Sequence, residues 1–374
     1  GNGYWINTTS NACTITLPGS AEAGDQIIFV DYARTWGTNA IIIDSNGLNF
    51  QGEDDTYTVD YDTSGQALNL VYSGATIGWT PSSDIVNALE PSPPATQKAI
   101  FAYGESEAGD KVSMSNLVNS SGVIASDVTG VGTGREGLAA AGYGFDKAIF
   151  GYGTTGSNVS LKNLVSNSGV VASDVTGVGT ARAYLTCTSY GGDKGIFGWG
   201  NSGSVVSLTN LVSNSGIVAT DVTGVGTTKN RGASLTYGGD KGISGFGDNS
   251  SAVAIGLTNL ISNVGVVSSD TTAVGEARNR LTGCTFGGDK GIFAYGENES
   301  NSRVKTSNIV SNVGVVASNV TSTGTDRVVG GAAGYGGDKG VIAYGSNGSN
   351  AMSTKNLVSN SGVIASDVTG VGTA

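Results

Sequence analysis

Most of this chain is the same sentence written six times, and that repetition limits what it can fold into. The segment Lys98-Ala-Ile-Phe-Ala-Tyr-Gly104 returns at Lys147 to Gly153, Lys194 to Gly200, Lys241 to Gly247, Lys290 to Gly296 and Lys339 to Gly345. The steps are 49, 47, 47, 49 and 49 residues. A second marker, Asn-Leu-Val or a close variant, recurs at Asn116, Asn163, Asn210, Asn259, Asn308 and Asn356. Runs of the type Gly-Val-Ile-Ala-Ser-Asp follow, and after each comes a stretch like Thr-Gly-Val-Gly. Six units therefore occupy residues 98–374. A unit this short cannot bury its apolar face alone, so it must stack on its neighbours.

Each unit reads as four short strands. The first is of the type Gly137-Leu-Ala-Ala-Ala-Gly-Tyr143 and is present in five copies. A turn such as Gly191-Gly-Asp-Lys194 follows, where Gly supplies positive φ and Asp favours the turn. The second strand is Ala148-Ile-Phe-Gly-Tyr152, whose alternation puts Ile149 on one face and Phe150 with Tyr152 on the other. The third surrounds Leu161 to Val165 and the fourth spans Gly169 to Val175. No apolar period of 3.6 residues is sustained anywhere in the repeats. The expected fold is all-β: a small N-terminal β-domain followed by a six-repeat β-propeller, one blade per unit.

The units resemble Kelch repeats in the order of their features. A cation (Arg135, Arg182, Lys229, Arg278, Arg327) precedes the first strand, eight residues before an aromatic (Tyr143, Tyr190, Tyr237, Phe286, Tyr335). A Gly-containing turn, a strand ending in aromatic-Gly, a polar loop and two more strands complete the unit. Two departures stand out: one Gly where Kelch repeats carry two after the second strand, and no Trp late in the blade. Ring closure is the open question, because the first strand has five copies and the others six. Ala374 aligns with Ala181, one residue before the cation of a next unit. Either one blade has three strands, or the natural protein continues past Ala374. An open or trimeric β-arrangement is the competing reading.

Residues 1–80 lack the repeat. Alternating runs at Cys13 to Leu17, Gln26 to Tyr32, Ala40 to Ile43, Tyr57 to Tyr61 and Ala67 to Tyr72, then Ile77-Gly78-Trp79, predict a compact β-domain of six or seven strands. Residues 81–97, with Pro91-Ser-Pro93-Pro94, read as a stiff, extended linker. Gly1-Asn2-Gly3-Tyr4 has no initiator Met and no signal peptide, which reads as a processed or truncated start. The block around Thr14-Ile-Thr-Leu-Pro18, Gly24-Asp25 with Ile27 to Asp31, Ile41 to Asp44, Phe50-Gln51-Gly52, Leu70-Val-Tyr72 and Gly78-Trp79 resembles a β-module of bacteriophage tail fibres and other virion appendages. The Gly/Ser/Thr/Asn-rich units likewise look like repeats in structural proteins of marine and cyanobacterial phages. The resemblance implies a homotrimer in the virion, outside the cell, contacting other virion proteins and presenting distal domains to the host surface.

Composition removes most chemistry. The chain of 374 residues has no His, 3 Cys and 30 acids against 19 bases. Without imidazole there is no Ser-His-Asp or Cys-His machinery and no zinc helix. Cys13, Cys187 and Cys284 are too few and too scattered for a disulfide framework. A net charge of −11 without a basic run argues against nucleic acid. No stretch approaches the ~18 apolar residues of a membrane helix, and no membrane insertion is expected. Gly130-Val-Gly132 and Gly177-Val-Gly179 lead into no helix, so they are not phosphate loops. Seven Asn-x-Ser/Thr matches, from Asn7 to Asn347, are expected by chance in a chain this rich in Asn, Ser and Thr.

Several repeated residues have both a chemical and a structural reading. Tyr103, Tyr152, Trp199, Phe246, Tyr295 and Tyr344 would stack on sugars if exposed; their common register favours packing between blades. Asp146, Asp193, Asp240, Asp289 and Asp338 are each followed by Lys in a hairpin, which favours a turn role over cation binding. The five cations read as bonds to a neighbouring loop rather than anion sites. Asp127, Asp174, Asp221 and Asp367 precede Val-Thr-Gly, where an Asx-turn is favoured over a Ca²⁺ site. No catalytic, cofactor or metal residue is assigned, and no cofactor is expected. The repeats differ mostly after strand two, at Thr154 to Asn158, Asn201 to Val205 and Asp248 to Ala254, where receptor contact would vary. The expected function is a non-enzymatic virion appendage that recognises the host surface. The alternatives are a polysaccharide-degrading enzyme on such an appendage, since glycoside hydrolysis needs only two carboxylates, and a bacterial surface adhesin.

Overall fold

The computed structural model describes residues 6–55, 59–82, 98–272 and 274–373. Every regular element among them is a β-strand, and the chain divides into two compact units, Gly1–Ala95 and Thr96–Ala374. The fold class is all-β. The Pro91–Pro94 run and the start of the run at Tyr57 lie outside the described residues.

In the first unit the alternating runs become β1 (Cys13–Thr16), β2 (Gln26–Val30), β3 (Ile41–Asp44), β4 (Val59–Tyr61), β5 (Ala67–Tyr72) and β6 (Trp79–Pro81). They form two three-stranded sheets, β1-β3-β4 with β1 parallel to β3, and β2-β5-β6, wholly antiparallel. Period-two alternation turns Ile41 and Ile43, Val59 and Tyr61, and Leu68 and Leu70 inward around Trp36, Phe50 and Trp79. The loop after β2 is fixed by one buried carboxylate. Asp31 accepts N–H bonds from Thr35 (3.1 Å), Trp36 (3.1 Å) and Gly65 (2.9 Å). Burial pushes its carboxyl up, but these N–H donors outweigh burial and hold it below the usual value.

The first repeat of the second unit is a hairpin of β7 (Ala99–Glu105) and β8 (Lys111–Val118). The second repeat adds a strand in front, giving the antiparallel meander β9 (Ala139–Tyr143), β10 (Lys147–Gly151) and β11 (Lys162–Val165). The same three-strand order returns in the next four repeats, with first strands at Thr186–Tyr190, Ala233–Tyr237, Thr282–Phe286 and Gly331–Tyr335. Two residues at positive φ close each first hairpin, Gly191 and Gly192 at 61° and 79°, with Gly144 and Phe145 at 57° and 68° in the second repeat.

The expected fourth strand is largely absent. The returning segment pairs with β11 at Val165–Val171 and Lys162–Val175, and between them Ala172 N–H donates to Leu164 O (2.8 Å). Three steps along β11 thus face four along the partner, and this one-residue excess is a bulge that breaks the ladder. Among the described residues only the fifth repeat extends the ladder past the bulge, pairing Ser307 with Val320 and Thr306 with Thr321.

A second expectation fails at the end of strand two. Phe150 and Tyr152 do not share a face: Phe150 packs edge-on against Tyr103 of the preceding repeat, and Tyr152 against Phe197 of the following one. Tyr152 has φ +64°, which reverses the pleat, and both faces of the sheet are buried against neighbours. All six strand-two aromatics share this left-handed conformation, with φ between 60° and 64°. This conformation costs about 1–2 kcal/mol for a residue with a Cβ.

Contacts between consecutive repeats recur between the sixth and the first. Lys162 Nζ donates to Gly216 O of the next repeat, and Lys355 Nζ donates to Gly122 O. Tyr344 packs edge-on against Phe101 with 5.5 Å between centroids. Thr373 bonds Asp127 as Thr133 bonds Asp174.

Candidate functional site

The residues singled out by their recurrence converge on the seam between one repeat and the next. At the first seam Arg135 is fully buried, its guanidinium 4.2 Å above the Tyr103 ring of the preceding repeat. Arg135 Nε donates to Tyr152 O (2.9 Å) and Nη2 to Asn163 Oδ1 (2.6 Å). Asn163 Nδ2 donates onward to Ala172 O and to Asp174 Oδ1, each 2.9 Å away. Asp174 also accepts Thr133 N–H (2.9 Å) and Oγ1–H (2.6 Å) from the tail of the previous unit, and lies 3.6 Å from Arg135 Nη1. Aromatic, cation, amide and carboxylate thus make one clasp. Burial of a guanidinium is tolerated here because ring, carbonyl, amide and carboxylate replace its water.

The clasp repeats with Arg182 on Tyr152, Lys229 on Trp199, Arg278 on Phe246 and Arg327 on Tyr295. It explains the Thr-Gly-Val-Gly motif. A Cβ on the second glycine, Gly132, would collide with Asp174 Oδ1 and Asn163 Nδ2, and Gly179, Gly226 and Gly324 face the same pair of groups. The backbone adds its own stitching. Gly153 N–H donates to Arg182 O (3.0 Å), and Gly144 N–H to Asp193 O (2.7 Å) in the next hairpin turn.

The sequence-based readings divide as follows. The aromatics pack between repeats, and the cations serve structure. Asp193 and its equivalents pair with the following Lys in the hairpin, Lys194 Nζ to Asp193 Oδ1 at 2.5 Å. The acids Asp127, Asp174, Asp221 and Asp367 bond across the seam, to Thr373, Thr133, Thr180 and Thr325, rather than forming the expected local turn. Each carboxyl lies below its usual value. For Asp127 the Thr373 and Asn116 donors dominate; for the other three, burial is outweighed by the Thr and Asn donors. Sequence reading missed Asp270, which bonds Thr227 and Asn259 in the same way. The signal was its constant distance from the marker Asn, which the altered Val-Thr-Gly motif concealed. In the fifth repeat that position is Asn319, which accepts from Glu276 N–H and Asn308.

The variable loops stand apart from this machinery. Each is a small hairpin closed by a bridged pair, Thr154–Asn158, Asn201–Val205, Asp248–Ala254, Glu297–Arg303 or Ser346–Ala351. Each is tied at its base to the residues just after the cation that opens the same repeat, as in Glu136–Thr154 and Ala183–Asn201. A shallow depression beside the fourth of these loops is lined by Glu276, Ala277, Asn298, Glu299 and Ser300. Glu276 is engaged there, accepting from Asn298 Nδ2 (2.9 Å) and Thr306 Oγ1 (3.1 Å). Among the described residues no group of three or more His, Cys, Asp or Glu side chains is placed to hold a metal. No protein-family model matches the chain, and no curated protein matches it.

Proposed function

We propose that this chain is a non-enzymatic structural protein of a bacteriophage appendage. In this reading the six units form a Kelch-like β-propeller that displays its variable loops to the host surface. The supporting observation is the division of labour within each unit. The recurrent aromatics, cations, amides and carboxylates are consumed in the seams, whereas the loops beginning at Thr154, Asn201, Asp248, Glu297 and Ser346 differ in length and chemistry on a constant base. The closing contacts Thr373–Asp127, Tyr344–Phe101 and Lys355–Gly122 favour a ring over an open array. The first unit would serve attachment to other virion proteins or trimerisation.

Two measurements test the reading. The purified protein should bind host cells saturably and lose that binding on cells stripped of the receptor or surface glycan. Equal binding to both cell types, or new reducing ends released from host capsule, would overturn it. The particle mass in solution should approach three times 37.3 kDa; a monomer would remove the trimeric appendage.

A further inference from the structure

Lysine takes the place of arginine in one seam, and the exchange changes what the clasp can do. Arg135, Arg182, Arg278 and Arg327 present guanidiniums, which stay charged and are not nucleophiles; Lys229 presents an amine. Lys229 and Asn259 are 1% and 0% exposed, and Trp199, whose ring centroid lies 4.4 Å from Nζ, is 1% exposed. Lys229 Nζ donates to Asn259 Oδ1 (2.8 Å) and to Ser244 O (3.3 Å). Asn259 Nδ2 donates in turn to Asp270 Oδ1 (2.9 Å) and to Ser268 O (3.1 Å). The amine thus lies against one end of a carboxamide and a carboxylate against the other. Burial pulls the ammonium down to about 7, with the Asp270 carboxylate opposing it, so much of the amine is an unprotonated nucleophile at neutral pH.

We propose that Lys229 and Asn259 react with each other to form an isopeptide bond, with Asp270 as the proton-transfer group. The bond Nζ–Cγ forms and the bond Cγ–Nδ2 breaks. Attack of the Nζ lone pair on Asn259 Cγ moves the carbonyl electron pair onto Oδ1, and its return expels Nδ2. Asp270 takes one proton from the attacking nitrogen and delivers it to Nδ2, which leaves as ammonia. One amine and one carboxamide become one secondary amide and one ammonia, so no oxidant or co-reactant is needed. Burial contributes twice. It holds the partners in contact, which replaces a bimolecular encounter, and it keeps water from competing for the carboxamide. Asp270 is only half-buried, which leaves the ammonia a path to solvent. The bond ties the segment that opens the fourth repeat to the strand Thr258–Ile261, 30 residues along the chain. Cys13, Cys187 and Cys284 are free, so this tie does in one repeat what a disulfide does elsewhere. Titration of the Lys229 amine belongs to the unreacted chain, since the amide carries no ammonium.

The test is the intact mass of the purified full chain under denaturing conditions, followed over time at mildly alkaline pH. The wild type is expected to fall short of its sequence mass by one ammonia. Trypsin should then leave a branched peptide joining residues 195–231 to residues 242–278, because an acylated Lys229 is no longer cleaved. Lys229→Arg installs the residue of the other seams, so it is compatible with the fold, and it should keep the full mass. Asp270→Asn installs the residue that stands at Asn319 in the fifth repeat, and it should lose ammonia at least about tenfold more slowly. A wild-type chain that keeps its full mass would overturn the cross-link. So would an ammonia loss that persists in Lys229→Arg, or one that the peptides place away from Lys229 and Asn259. An Asp270→Asn chain that reacts as fast as the wild type would remove Asp270 from the step.

Discussion

Val329 has φ +53° although it is β-branched and largely exposed. It ends a line of backbone hydrogen bonds passing from repeat to repeat: Tyr184 N–H to Gly137 O, Arg231 N–H to Tyr184 O, Arg280 N–H to Arg231 O and Val329 N–H to Arg280 O. That line requires the left-handed conformation, which Gly137 adopts freely at φ +60°. Val329→Gly should therefore raise unfolding stability by about 1 kcal/mol in urea titration, the released strain exceeding the added unfolded-state entropy. A loss of stability would show that Val329 packs usefully. Lys229 makes a different trade. It replaces Arg where Trp199 replaces the smaller ring, so a shorter cation matches a larger surface; its Nζ sits 4.4 Å from the ring centroid and 2.8 Å from Asn259 Oδ1. Burial pulls the ammonium down to about 7. Above that pH the folded protein has shed a proton that the unfolded chain keeps until about 10.5, so stability climbs with pH across that window. Below it, both states are charged and the burial penalty is fully present. The unfolding free energy of the wild type should gain on that of Lys229→Met between pH 7 and 9, by at most about 1.4 kcal/mol per pH unit. A flat difference would mean that the indole and the carbonyl oxygens keep the ammonium charged.

At the level of the element, the clasp decides what a strand contributes. Asn163 sits at the centre, accepting from Arg135 and donating to Ala172 O and Asp174. Asn163→Ala leaves a buried guanidinium one partner short and should cost about 3 kcal/mol by urea unfolding. Asn163→Asp should not restore that loss: its carboxylate still accepts from Arg135, but an oxygen then faces Asp174 Oδ1 and Ala172 O where Nδ2 donated. The recurrence of that Asn was visible in the sequence, as were the β-strands of both units, since periodicity and turn residues are local signals. The partners of the Asn were not. Asn163 and Asp174 lie 28 and 41 residues from Arg135 and Thr133, and the bond from Thr133 crosses a repeat boundary that no local pattern reports. The reversal at Tyr152 escaped for a related reason: alternation assumes an unbroken pleat, and one residue at φ +64° breaks it. The bulge in the returning segment was equally hidden, because valines at Val171 and Val175 suit a regular strand and a bulged one alike. Its outward valines, such as Val170 and Val175, remain exposed in each repeat rather than completing a second face.

Across the whole second unit these clasps act in parallel, and their electrostatics point one way. The carboxyls of Asp127, Asp174, Asp221, Asp270 and Asp367 are all held below the ordinary 3.8. Their contribution to stability is fully present above the unfolded value and is lost as pH falls through the lower, folded values. Each seam depends on its neighbours, so protonation at one loosens the packing that holds the next. Acid unfolding should therefore begin below about pH 4 and take up several protons together, giving a transition steeper than a single carboxyl allows. Asp174→Asn should reduce the uptake by about one proton and broaden the transition, while lowering stability at neutral pH through loss of the charged partner of Arg135. The fifth repeat offers an internal control, since Asn319 already stands at that position. Replacing it with another neutral acceptor should leave the proton count unchanged. Potentiometric titration of the folded and acid-unfolded protein reads the number directly. An uptake of about one proton, unchanged by Asp174→Asn, would mean that the seams are not what holds the unit together in acid.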